Sequence, residues 1–135
     1  MAVFLVKTEP STYSYADLER EQRAVWDGVS NPVALKHLRT IAKDDDVLVY
    51  HTGDEKAVVG LARAASAAYA DPKLKDEKRV VFDLVPRRSL KKPVTLATFR
   101  VDPVLQTADL VRLPRLSVVP LTAAQLERVL ALADG

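Results

Sequence analysis

The residues best suited to chemistry in this chain form the run Val25-Trp26-Asp27-Gly28-Val29-Ser30-Asn31-Pro32. Trp26 is the only tryptophan, and an Asp-Gly turn follows it at once. Asn31-Pro32 then reads as a helix start, with an N-cap side-chain oxygen followed by a proline whose missing N–H costs nothing at the first helical position. A flat π-face, backbone N–H groups and the positive end of a helix dipole therefore fall within a few residues. Those parts suit a flat polar ring carrying a phosphate. The same residues also suit a core tryptophan beside a plain turn. On this segment alone burial is the better-supported reading, because large aromatics mostly serve it.

Other groups extend the pattern. Five of the eight aromatic residues, Phe4, Tyr13, Tyr15, Trp26 and Tyr50, fall in the first fifty positions, with Lys7, Thr8, Glu9, Asp27, Asn31, His51 and Thr52 among them. Aromatic faces interleaved with donors and acceptors suit an unstacked base. Phe4 reads as core. Asp27 or Glu9 could accept from an exocyclic amine of such a base. His51 could act as a general base, donate to a ligand, or simply bond a backbone group, the commonest fate of a strand-end histidine. Arg87, Arg88, Lys91 and Lys92 form the best sequence-level candidate for contact with a phosphate backbone. Lys73, Lys75, Lys78 and Arg79, mixed with acidic residues, read as a solvated loop.

The composition excludes several classes. Without cysteine there is no disulfide, iron–sulfur cluster, thiolate zinc site or cysteine nucleophile. Two histidines leave little for a metal site, and no Gly-rich phosphate loop or nucleophile elbow is present. No metal or cofactor is expected, and an enzyme is disfavoured. A net charge of +2, from 20 basic and 18 acidic residues, is too balanced for general nucleic-acid binding, so any such role depends on local placement. The first residues lack a basic leader, and no apolar run approaches a membrane span. A monomeric cytoplasmic protein with no membrane partner is expected.

The elements that must position these groups follow from pattern. At 135 residues the chain suits one domain. Strands are predicted over 2–7, 46–52, 57–68 (bulged at Gly60), 79–86 and 116–119, the last stopped by Pro120. Helices are predicted from Ser14 to Glu21, over 32–42, in a segment opened by Pro93, and after a Thr122/Gln125 capping box. Strands at irregular spacing with short helices between them predict an α+β fold: a small, curved, mostly antiparallel sheet or barrel flanked by helices.

The order of Phe4-Leu5-Val6-Lys7-Thr8-Glu9-Pro10, Trp26-Asp27-Gly28-Val29-Ser30-Asn31, Tyr50-His51-Thr52, Tyr69-Ala70-Asp71-Pro72 and Arg115-Leu116-Ser117-Val118-Val119-Pro120 resembles that of an EVE domain over nearly the whole chain. The resemblance implies a PUA-like fold over residues 1–135. It also implies a non-enzymatic reader of modified nucleobases, chiefly modified cytosine in DNA, that accepts a flipped base in an aromatic-lined pocket. RNA is the alternative partner, because related folds read RNA. An enzyme acting on a modified nucleotide through Asp27, His51 or Glu9 is a weaker alternative, and an adaptor role a third. By matching motif, the implied pocket residues are Lys7, Glu9, Trp26, Asp27, Gly28, Val29, Asn31, Tyr50, His51, Thr52, Arg115, Leu116 and Ser117. Phe4 and Ser30 depart from the family, which usually has Trp and Arg there.

Overall fold

The alternation of apolar residues in the first strand has two destinations. In the computed structural model, which describes residues 2–74 and 76–135 and so leaves Lys75 outside, β1 (Val3–Thr8) runs through the middle of the protein. Successive strand residues face opposite sides, so Phe4 and Val6 enter one buried cluster and Val3 and Leu5 another. Helices cover both sides. The Phe4 side holds α1 (Tyr15–Glu21) and α2 (Pro32–Leu38), with Tyr15, Leu18, Leu35 and Leu38 turned inward. The Val3 side holds α3 (Leu96–Val101), α4 (Asp109–Arg112) and α5 (Ala123–Asp134), which bring in Phe99, Leu110, Val129 and Ala133.

The remaining strands are β2 (Ala24–Trp26), β3 (Asp46–His51), β4 (Ala57–Ala64), β5 (Tyr69–Ala70), β6 (Val80–Thr95) and β7 (Val118–Leu121). Among the described residues the sheet order is β2-β6-β4-β3-β1-β7, with β5 also on β6. β1 and β3 pair parallel, and every other pair is antiparallel. The sheet curls into a half-barrel, giving the expected α+β, PUA-like architecture. No described helix is long and apolar enough to cross a membrane.

Several predicted boundaries move, each for a local reason. α2 ends at Leu38 rather than 42, because Thr40 Oγ1 donates to the His37 carbonyl and the Asp45 carboxylate takes the Ala42 N–H at 2.9 Å. β4 stops at Ala64 rather than 68, where Ala65 turns its N–H to the Asp83 carbonyl. β6 continues past 86 through two prolines, its changes of register against β4 absorbed near Gly60 and Ala62. Pro120 lies within β7 instead of stopping it, since an edge strand tolerates a missing donor.

Asp102 ties α3 to α5. Its carboxylate accepts from Arg128 Nε at 2.8 Å and from the N–H groups of Val104 and Leu105. Burial pushes this carboxyl up, but those three donors outweigh it and hold it below the usual aspartate range. A depressed native pKa contributes stability above the unfolded value, near ~4, and that stability is lost as pH falls through the native value. Thermal melts from neutral to acid pH should show the parent losing stability in that window. Asp102→Asn should start lower at neutral pH and decline less on acidification. Parallel declines would remove Asp102 as a source of the acid sensitivity.

Candidate nucleic-acid interface

A cavity of about 670 Å³ opens where the end of β1, the segment before α1, the last residue of α1, β2 and the loop after it converge. That volume falls in the range of ligand pockets. Lys7, Thr8, Thr12, Tyr13, Glu21 and Arg23 line it, with Ala24 to Val29, Lys73 and Ser117.

Trp26 ends β2, paired with Phe82 on β6, and does not lie free on a loop. It is 8 % exposed and belongs to the Phe4-side core, while part of its surface lines the cavity. Tyr13 meets it edge to face, with ring centroids 6.2 Å apart and planes at 80°. Burial, and then the hydrogen bond its hydroxyl donates to Glu21 Oε1 at 2.9 Å, push the Tyr13 pKa up to about 12, so it remains a neutral donor at physiological pH. That bond engages one Glu21 oxygen.

The loop after Trp26 is held at both ends. Val29 is buried, and its carbonyl accepts from Arg79 Nε at 3.1 Å. Between those anchors Asp27 and Gly28 are exposed, and Gly28 adopts φ +80°. Asn31 caps α2 by accepting from the N–H groups of Val33 and Ala34, so the helix start offers fewer free donors than its sequence suggests.

Lys7 projects from β1, and burial holds its ammonium below the ordinary lysine value. Its Nζ donates to the Pro114 carbonyl at 2.7 Å and lies 5.8 Å from the centre of the Tyr50 ring. Arg23, which lines the cavity, and the Tyr69 hydroxyl both bond Asp83 at 2.6 Å, and these two groups hold that carboxyl low.

Of the residues singled out by sequence, Lys7, Trp26, Asp27, Gly28, Val29 and Ser117 are brought together here. Arg115 and Leu116 line a neighbouring hollow. The other five are placed in supporting positions. Tyr50 is buried in the Val3-side core beneath Lys7. His51 is buried, and its Nε2 accepts the Tyr15 N–H at 3.0 Å, which assigns the ring proton to Nδ1 and the Glu55 carboxylate 2.7 Å away. That geometry leaves His51 no free nitrogen for base catalysis. Glu9 accepts from Ser11 and Thr52, and the Ser11 bonds first of all hold its carboxyl low. Asn31 is the α2 cap described above.

The basic cluster lies elsewhere. Arg87 bonds Asp46 at 3.0 Å, Arg88 bonds Asp134, and Lys92 reaches the Gly135 carbonyl. Three of its four cations thus have partners, on a stretch of β6 at least five residues beyond Phe82. Sequence reasoning left Glu21, Arg23, Thr12 and Lys73 out of the site. The curl of the sheet brings them in, and no local motif marks them.

A curled mixed sheet between two helical layers, with a cavity at the end of its central parallel pair, defines a PUA-like protein. The chain belongs to the EVE domain family, whose model matches residues 2–132. It is 27 % identical to thymocyte nuclear protein 1 of Mus musculus over 97 % of this chain and 73 % of that protein. Rpa0253 from Rhodopseudomonas palustris superposes with a TM-score of 0.93 at 34 % identity, covering 99 % of this chain and 94 % of that one. Human THYN1, solved in complex with 5-methylcytosine containing DNA, superposes with a TM-score of 0.90 at 25 % identity, covering 100 % and 99 %.

Proposed function

We propose that this domain reads DNA carrying a modified cytosine, and that the modified base leaves the stack and enters the cavity beside Trp26. The observation that carries this reading is the cavity itself: an indole face, two carboxylates and two lysines around a space of about 670 Å³. It occurs in a fold shared with a protein solved on 5-methylcytosine containing DNA. Taking a base out of the stack costs a few kcal/mol. Stacking on an aromatic face, worth roughly 1–3 kcal/mol, and hydrogen bonds along the base edge offset it.

The hydrogen-bonding groups suit cytosine. Its exocyclic amine is a donor where thymine has an acceptor, and Glu21 and Asp27 are acceptors. The Lys7 ammonium supplies a donor for a ring acceptor. The added methyl meets apolar surface from Trp26, Ala24 and Val25, and one buried methyl-sized group is worth about 0.8 kcal/mol, or roughly fourfold. No nucleophile is required, and His51 is already committed. As the only tryptophan, Trp26 also reports occupancy by fluorescence.

The test is a titration at fixed salt of duplexes that differ at one position: 5-methylcytosine, cytosine or thymine. A several-fold preference over plain cytosine and a preference of about tenfold or more over thymine are expected, with quenching of Trp26 and recovery of unchanged DNA. Equal affinity for all three would overturn the reading. A stronger preference in RNA of the same sequence would move the partner to RNA. Glu21→Gln places a donor beside the acceptor. It should reduce the preference for 5-methylcytosine over thymine by about tenfold, the value of one discriminating hydrogen bond to a charged group, without lowering the melting temperature.

A further inference from the structure

Beside the cavity lies a second hollow of about 440 Å³, lined by Val33, Arg112, Leu113, Pro114, Arg115 and Leu116. We infer that the DNA strand flanking the flipped base crosses this hollow, with Arg112 and Arg115 taking its phosphates and Val33 and Leu113 meeting its sugar and neighbouring base. This rests on the function proposed above and names the surface that receives the rest of the strand.

Three observations carry it. The first is continuity. Ser117 and Lys7 line the cavity, the Lys7 backbone N–H donates to the Ser117 carbonyl at 2.9 Å, and Lys7 Nζ bonds Pro114. The segment 114–117 is therefore a wall shared by the two hollows and fixed to the end of β1. A strand that crosses this wall reaches both hollows.

The second is charge. Two guanidiniums and no carboxylate line the hollow. Arg112 reaches Asp109 only at 3.6 Å, in a pair whose arginine is two-thirds exposed, and such pairs are worth little. Among the described residues Arg115 has no acidic partner within salt-bridge distance. Arg87 and Arg88, by contrast, are already engaged with Asp46 and Asp134.

The third is exposed apolar surface. Val33 is 47 % and Leu113 44 % exposed, and both line this hollow. Contiguous exposed apolar surface beside a binding site marks a contact area, and the arginines flanking it favour a polyanion with apolar faces.

The experiment measures binding of the 5-methylcytosine duplex and its plain counterpart across a salt series, for the parent, Arg112→Ala/Arg115→Ala, Arg87→Ala/Arg88→Ala and Leu113→Ser. Each phosphate contact contributes about −0.9 to the slope of log K against log salt. The Arg112/Arg115 variant should lose close to two such steps in slope and keep the preference for the modified base. The Arg87/Arg88 variant should keep the parent slope. Leu113→Ser should weaken both duplexes severalfold but leave binding of 5-methyl-deoxycytidine monophosphate unchanged. Circular dichroism verifies that each variant is folded. If the parent discriminates the modified base but the Arg112/Arg115 slope equals the parent slope, the strand does not lie here and the inference fails alone. If the parent shows no discrimination, the proposed function fails with it.

Discussion

Trp26→Ala should bind 5-methylcytosine DNA about 5- to 150-fold more weakly than the parent, the factor that corresponds to ~1–3 kcal/mol of stacking. The same change should also destabilise the fold. The indole is 8 % exposed, ends a paired strand and packs with Tyr13 and the Phe4-side core. Truncating a buried tryptophan to alanine typically costs about 3–5 kcal/mol, which is roughly 10 °C or more in a domain of this size. Loss of binding alone would therefore not distinguish a stacking surface from a collapsed wall.

Two further variants separate them. Phe99→Ala removes a fully buried ring on the opposite face of the sheet, at comparable expected cost in stability. It should bind modified DNA as the parent does, at temperatures well below its melting point. Trp26→Phe keeps an apolar ring in place and should retain most stability while losing part of the affinity. Equal loss of binding in the Phe99 and Trp26 alanine variants would make Trp26 structural only and remove the stacking argument.

The dual position of Trp26 shows what pattern in a sequence can carry. Val3 to Val6 read as a buried strand because apolar residues on both faces need two covers, and both are present. Ser14 with Asp17, and Thr122 with Gln125, are complete capping boxes because the signal is local, three residues long and chemically specific. β2, β5 and α4 are three, two and four residues long, about one repeat of the strand or helix period and too few to show a pattern. Trp26 therefore reads as a loop residue when its neighbour Phe82 lies 56 positions away. The motif Tyr50-His51-Thr52 was legible as a unit, but its role was not. Tyr50 lies under Lys7, His51 fixes the start of α1, and Thr52 bonds Glu9, contacts that depend on which strands become neighbours. Glu21 enters the cavity through the seating of α1, and that seating depends on one small residue in another strand.

That residue is Gly60, and Gly60→Ala should destabilise the protein by about 3 kcal/mol or more. A Cβ at Gly60 would stand 2.3–2.4 Å from three atoms of the Tyr15 ring, closer than any contact a folded protein holds. The ring has little room to retreat. It is 3 % exposed, its hydroxyl donates to the Leu61 carbonyl, and its backbone N–H donates to His51. Overpacking costs about 1–3 kcal/mol, and a broken buried hydrogen bond adds about 1–3 kcal/mol. Gly28→Ala is the contrast, since Gly28 has φ +80° but open space around its Cα. It should cost only the roughly 1–2 kcal/mol of a left-handed backbone. Displacing Tyr15 also moves the start of α1, which follows Tyr13 and leads to Glu21, so modified-base binding should fall in Gly60→Ala even where the protein remains folded. Tyr15→Leu in the Gly60→Ala background should restore part of both stability and binding, because the ring atoms that collide are gone. Additive losses in the double variant would show that Gly60 is needed for its backbone alone, and that the seating of α1 does not depend on the close approach of the Tyr15 ring.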